Sequence, residues 1–190
     1  MSRFEDWGDD YSDGPYITPE MWQHNLRLAL SGKRGQAALR EFREALLALP
    51  EPVLISRALC TVGLSARAAR MTQQWQRDAA LELIGGNGGR EGVCAVGAFA
   101  WFRKVKAGMD PQAAFDALPV LSDQDSAPEE TQDVGAAAGL TRTLAYHLGY
   151  LNDETWSSLS PEQRWQKALE WIDSQLQPEL LSAARKQERA

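Results

Sequence analysis

Apolar side chains recur every three to four residues through most of this chain, and no run alternates apolar with polar as a half-buried strand would. The pattern predicts a mostly α, compact single-domain bundle of about six to eight helices, with at most one short β element near residues 53–59. Thr18-Pro19-Glu20 reads as a helix start: Thr caps, Pro takes the first position, and an acid sits at the positive end of the dipole. Trp22, Leu26, Ala29 and Leu30 form its stripe, and Gly32-Lys33-Arg34-Gly35 breaks it. A second helix turns Leu39, Phe42, Leu46 and Leu49 inward and stops at Pro50 and Pro52. Val53-Leu54-Ile55 is too short for periodicity to choose between a buried strand and a helix start.

Residues 64–84 read as the clearest amphipathic helix, with Leu64, Ala68, Met71, Trp75 and Ala79 on one side and Arg67, Arg70, Gln74 and Arg77 on the other. The glycines between Gly85 and Gly89 end it. Val93 to Val105 is apolar almost all round, which predicts a central helix with Cys94, Val96, Phe99 and Phe102 buried. Asp110-Pro111 opens a short helix, and Leu121 to Gln132 is an acidic connection. Two helices are expected between Glu129 and Leu151, broken near Gly139. The last starts at Ser160-Pro161-Glu162-Gln163, a capping box, with Trp165, Leu169, Ile172 and Leu176 inward. The organisation is therefore an irregular acidic segment at 1–17, a helical domain at 18–177 and a frayed charged tail at 178–190.

Charge changes this picture more than composition does. The net charge of −6 conceals strong segregation. Residues 1–17 hold five acids and one Arg; residues 18–106 hold thirteen Lys/Arg against seven Asp/Glu; residues 107–141 hold seven acids and no base. Such alternation lets acidic segments dock on the chain's own basic body, or presents separate charged surfaces to partners. No apolar run approaches the ~18 residues of a bilayer span, and the acidic N-terminal stretch does not read as a signal peptide. Two cysteines make no disulfide framework and fit a reducing cytoplasm. Most of the seven Trp are expected in the core.

Candidate chemistry is sparse. His24, Cys60, Cys94 and His147 are the only His and Cys residues, without metal-ligand spacing, so no metal or cofactor is expected. The 85–89 glycines follow a helix rather than a strand and read as a turn, not a phosphate loop. His147 with Asp153 or Glu154 could supply a base and an orienting acid, but no nucleophile is nominated, and no catalytic residue is assigned. Thr131 to Leu148 has the spacing of a helix-turn-helix, with Gly139 as the turn and Thr141, Arg142, Thr143 and His147 as the reading residues. Its acidic first helix suits DNA poorly. Arg67, Arg70 and Arg77 form the better basic face. Asp9, Asp10, Asp13, Asp123, Asp125, Glu129 and Glu130 are the acidic counterpart.

Several motifs taken in order carry a resemblance: Gly32-Lys-Arg-Gly-Gln36 with Leu46-Leu-Ala-Leu-Pro50, Gly92-Val-Cys-Ala-Val-Gly97, Leu144-Ala-Tyr146 with Asn152-Asp-Glu154, and Pro161-Glu-Gln-Arg-Trp165 with Trp171-Ile172. Over Gly32 to Leu176 the chain resembles a family of small bacteriophage and prophage proteins of Gram-negative bacteria. That family carries no assigned activity, so no functional residue transfers. The chain departs from it at Glu51-Pro52, at much of 60–90, and in its acidic N-terminal stretch. The resemblance implies a phage accessory protein in the bacterial host cytoplasm. It is expected to be a non-enzymatic binder of a host protein or nucleoprotein complex, plausible as an anti-CRISPR-like antagonist of host defence. The alternative is a helix-turn-helix nucleic-acid-binding regulator.

Overall fold

The computed structural model describes residues 18–56, 60–118 and 133–178. The acidic candidates Asp9, Asp10, Asp13, Asp123, Asp125, Glu129 and Glu130, and the tail from 179 onward, lie outside the described residues. Of the described residues 69% are helical and none forms a strand, so the fold is mostly α as the periodicity predicts. No helix among them is long and apolar enough to cross a membrane.

Helix α1 (Pro19–Ser31) begins as its sequence dictates, with the Thr18 hydroxyl accepting from the Met21 amide at 3.3 Å. Only Gly32 separates it from α2 (Lys33–Ala48). The two helices meet so closely at Gly35 that a Cβ there would lie 1.8 Å from the Ala29 carbonyl oxygen. α2 buries Leu39, Phe42 and Leu46, and Leu49 is partly buried, as expected. The central helix is α5 (Ala95–Lys106), packed between α2, α6 (Pro111–Asp116) and α8 (Arg142–Tyr150). Val96 and Phe99 are fully buried, and Phe99 meets Phe42 edge-on at 6.1 Å. Each such ring contributes about 1.5–3 kcal/mol through burial. Phe102 is only partly buried, against expectation, because it turns to the rim where the Lys106 ammonium covers its ring at 5.4 Å.

Asp110 caps α6, and Trp101 stacks on Phe115 at 4.8 Å while its indole N–H donates to the Pro111 carbonyl. Residues 133–137 form a short helix, α7; Gly139 then turns the chain with φ +93°, a conformation natural only to glycine. α8 runs into a single π turn, Leu151–Thr155, and the capping box of Ser160 and Gln163 opens α9 (Pro161–Gln175), which packs on α2. Ile172 and Leu176 are buried and Trp165 and Leu169 partly so. Of the six described Trp, Trp101 and Trp156 are buried, Trp22, Trp165 and Trp171 are partly buried, and Trp75 is exposed.

The expectation for residues 64–84 is corrected. Residues 64–84 are not one helix but two, α3 (Leu64–Ala68) and α4 (Gln74–Gly86). The break lets Leu64 and Ala68 face Ala80 and Ile84 in a small cluster of their own, whereas one straight rod would leave that apolar stripe uncovered. Trp75 and Ala79, predicted inward, therefore point to solvent. Near 53–59, where at most one short β element is expected, the described residues form only isolated bridges, Leu54 with Val93 and Cys60 with Val93.

Candidate binding surfaces

A buried polar knot forms the base of the α3–α4 hairpin. Arg164 on α9 donates to the Leu54 carbonyl at 3.1 Å, the Trp156 carbonyl at 3.3 Å and Asn87 Oδ1 at 2.9 Å. Asn87, which follows α4, also accepts from the Ser56 amide at 2.8 Å and donates to the Ser56 and Leu83 carbonyls. Both residues are 2% exposed. Asn152, brought inward by the π turn, donates to the Ile55 carbonyl at 2.7 Å. Glu91 closes the knot by accepting from the Gly63 and Ser65 amides at 2.6 and 2.7 Å. These polar side chains hold loop backbone that regular structure leaves unsatisfied. Cys94 caps α5 through its sulfur, and burial, with Asp153 nearby, pushes its thiol pKa up to about 12. It stays a protonated packing group.

From this base the hairpin projects with a core separate from the main one. Trp75 stands at the outward pole of α4, 68% exposed, and Leu81 is 51% exposed. The three arginines predicted to share one stripe do not share a helix. Arg70 is exposed in the turn after α3, and Arg77 is partly buried, donating to the Met71 carbonyl at 2.8 Å. Arg67 belongs to α3, and its side chain lies outside what the structure describes.

Gly139 turns the chain between the helical residues 133–137 and α8, where the sequence suggests a helix-turn-helix, but α8 is already packed on three sides. Leu144, Ala145 and Leu148 enter the core, Tyr146 meets Trp22 edge-on at 5.2 Å, and the His147 ring lies 5.5 Å from Trp171. The Thr141 hydroxyl caps α8 by accepting from the Leu144 amide. Thr143 is partly buried, and exposed Arg142 pairs with Asp133 at 3.1 Å. Burial lowers the His147 pKa to about 4, so its ring is neutral at pH 7 and offers no charge to a phosphate.

A second charged face lies apart from the residues that the sequence nominates. Where α1 meets α2, Ser31, Lys33, Gln36, Ala37, Arg40 and Gln177 line an open cleft of about 330 Å³. Gln36 forms its floor and is fully engaged, donating to the Leu30 and Gln175 carbonyls and accepting from the Gln177 amide. No side chain caps α2, and its first turn holds no acid. The signal was available: from Met21 to Arg40 the chain carries four Arg/Lys and no Asp or Glu. Gly32-Lys33-Arg34-Gly35 is both the helix break and part of this charged run. Compared with protein-family models, curated proteins and solved structures, the chain matches none. Among the described residues no three His, Cys, Asp or Glu side chains gather as a metal-holding group.

Proposed function

We propose that the protein is a non-enzymatic binder of a host macromolecule, a phage accessory protein of the bacterial cytoplasm, and that its α3–α4 hairpin engages a protein partner. The observation that carries this reading is Trp75. A large aromatic ring at the solvent pole of a helix leaves apolar area wet that a partner can cover, and Trp and Arg are the side chains that dominate binding energy at protein interfaces. Leu81 and Arg70 are exposed on the same hairpin. The knot of Arg164, Asn87 and Ser56 fixes the base of the hairpin, so little ordering cost is left for binding. The phage resemblance and the segregated charge support antagonism of a host defence complex as the biological setting. A groove-reading helix is disfavoured, because groove insertion needs a helix with a free long face and α8 has its faces against Trp22, Trp171 and the core.

The test compares the parent chain with Trp75→Ala and Arg70→Glu as baits in host lysate, followed by hydrogen exchange of the chain with the captured protein. Both variants should melt like the parent and lose the partner, and residues 74–86 should gain protection on binding. A partner retained by Trp75→Ala, or protection confined to the opposite side of the molecule, would refute the assignment.

A further inference from the structure

Around the α1–α2 junction four cations have no carboxylate partner among the described residues. Arg27, Lys33, Arg34 and Arg40 are exposed, and none has an ion-pair partner among the described residues. This sets them apart from Arg90, Arg103, Lys106, Arg142 and Lys167, each of which meets a carboxylate. The acids nearest along α2 are already committed. Glu41 holds Arg103 at 2.6 Å and Lys106 at 3.6 Å, and Glu44 holds Lys106 at 3.6 Å. Asp173 on the neighbouring α9 holds Arg43 at 2.7 Å. Among the described residues, therefore, no carboxylate cancels the positive field of the cleft.

Spacing gives this field a shape. Lys33, Ala37 and Arg40 lie on one helical stripe, and Arg27 lies one turn before Ser31 on the adjoining helix. Helical rise separates Lys33 from Arg40 by about 10 Å along the axis. We propose that this cleft docks the sugar–phosphate backbone of a nucleic acid, with Arg27, Lys33, Arg34 and Arg40 as the phosphate contacts and no reading of sequence. A row of cations about 10 Å long suits several phosphates rather than one, since a duplex presents a charge every ~1.7 Å of its axis. The lining offers no aromatic platform for stacking, and the buried Gln36 amide on its floor has both N–H groups committed to backbone carbonyls and its oxygen already accepting from the Gln177 amide. An acidic protein would need an apolar anchor at the centre of its interface, and the cleft supplies only Ala37. The net charge of −6 does not forbid this, because charges beyond about 10 Å are largely screened at 0.1 M salt. The assignment deepens the binding reading above by giving the partner a nucleic-acid component, and it stands on residues remote in sequence from Trp75.

The experiment uses the full chain and a fluorescent duplex of about 20 base pairs, with anisotropy read across a salt series. Four phosphate contacts predict that log K falls against log salt with a slope of about −3 to −4. A second duplex of scrambled sequence should bind within about twofold, as expected where no base edge is read. Lys33→Glu combined with Arg40→Glu, at unchanged circular dichroism, should weaken binding at least tenfold and flatten the slope, while Trp75→Ala binds like the parent. If the charge reversal perturbs folding, Lys33→Gln with Arg40→Gln should still lower the slope. No binding at 50 mM salt, a slope unmoved by either pair, or tighter binding of polyglutamate or of ATP than of the duplex would overturn the proposal. Loss of the protein partner on Trp75→Ala with DNA binding intact separates the two assignments.

Discussion

His147 shows how one buried side chain ties stability to pH. Its ring packs against Trp171, its Nδ1 has no hydrogen-bond partner, and burial lowers its pKa to about 4 from an ordinary 6.5. The unfolded chain therefore takes up a proton between pH 6.5 and 4 that the folded chain refuses. Stability contributed by the neutral ring is complete above pH 6.5 and is lost as pH falls toward 4, a loss on the order of 3 kcal/mol. Melting temperatures measured from pH 7 to 4 should decline, and His147→Phe should flatten the decline. An equal slope in the variant would place the acid sensitivity elsewhere. Nothing in the local sequence announces this, because the neighbour that desolvates the ring lies 24 residues away on α9.

Among the elements, the α1–α2 turn is the most tightly specified. Gly35 sits in the first turn of α2, where a Cβ would meet the Ala29 oxygen at 1.8 Å and its carbonyl carbon at 2.8 Å. These are backbone atoms and cannot swing aside. In an exposed helix Gly→Ala would stabilise by about 1 kcal/mol. Here it must pry α1 from α2, and Gly35→Ala is expected to destabilise by about 2 kcal/mol or more, as overpacking does. Chemical denaturation measures the sign directly, and a stabilised variant would show that the helices separate freely. The same substitution should disturb the basic cleft, because Lys33 and Arg40 ride on α2 and Arg27 on α1. The α3–α4 hairpin shows the opposite tendency: its broken stripe is covered only by itself, so its stability depends on its anchor.

Across the whole molecule, that anchor decides whether hairpin and body unfold together. Asn87→Ala would orphan the Ser56 amide and one Arg164 N–H in a buried site. Each unsatisfied group costs about 1–3 kcal/mol. The melting temperature should fall, and amide exchange within 64–86 should rise well above that of α5, whose Phe99 and Val96 remain in the main core. Equal acceleration in both regions would mean that the two clusters form one cooperative unit. Charge is also a property of the whole: α5 neutralises the acids of α2, and that pairing leaves the α1–α2 cations without a carboxylate partner among the described residues.

The sequence by itself determined the elements whose causes are local. The Thr18 cap, the Asp110-Pro111 start, the Ser160–Gln163 box, the Gly139 turn and the burial of Phe99 all follow from spacing and side-chain chemistry within a few residues. The run of cations from Arg27 to Arg40 without an intervening acid is local in the same way, but their lack of a carboxylate partner among the described residues is not. What needed the tertiary structure depends on distant neighbours. The helix predicted over 64–84 breaks because Leu64 and Ala68 can reach Ala80 and Ile84 only by folding back. Asn87 and Arg164 become buried partners although 77 residues separate them, and Trp75 becomes exposed because the break rotates α4's apolar face onto α3. Periodicity identifies which side of a helix is apolar, but only packing decides what covers that side.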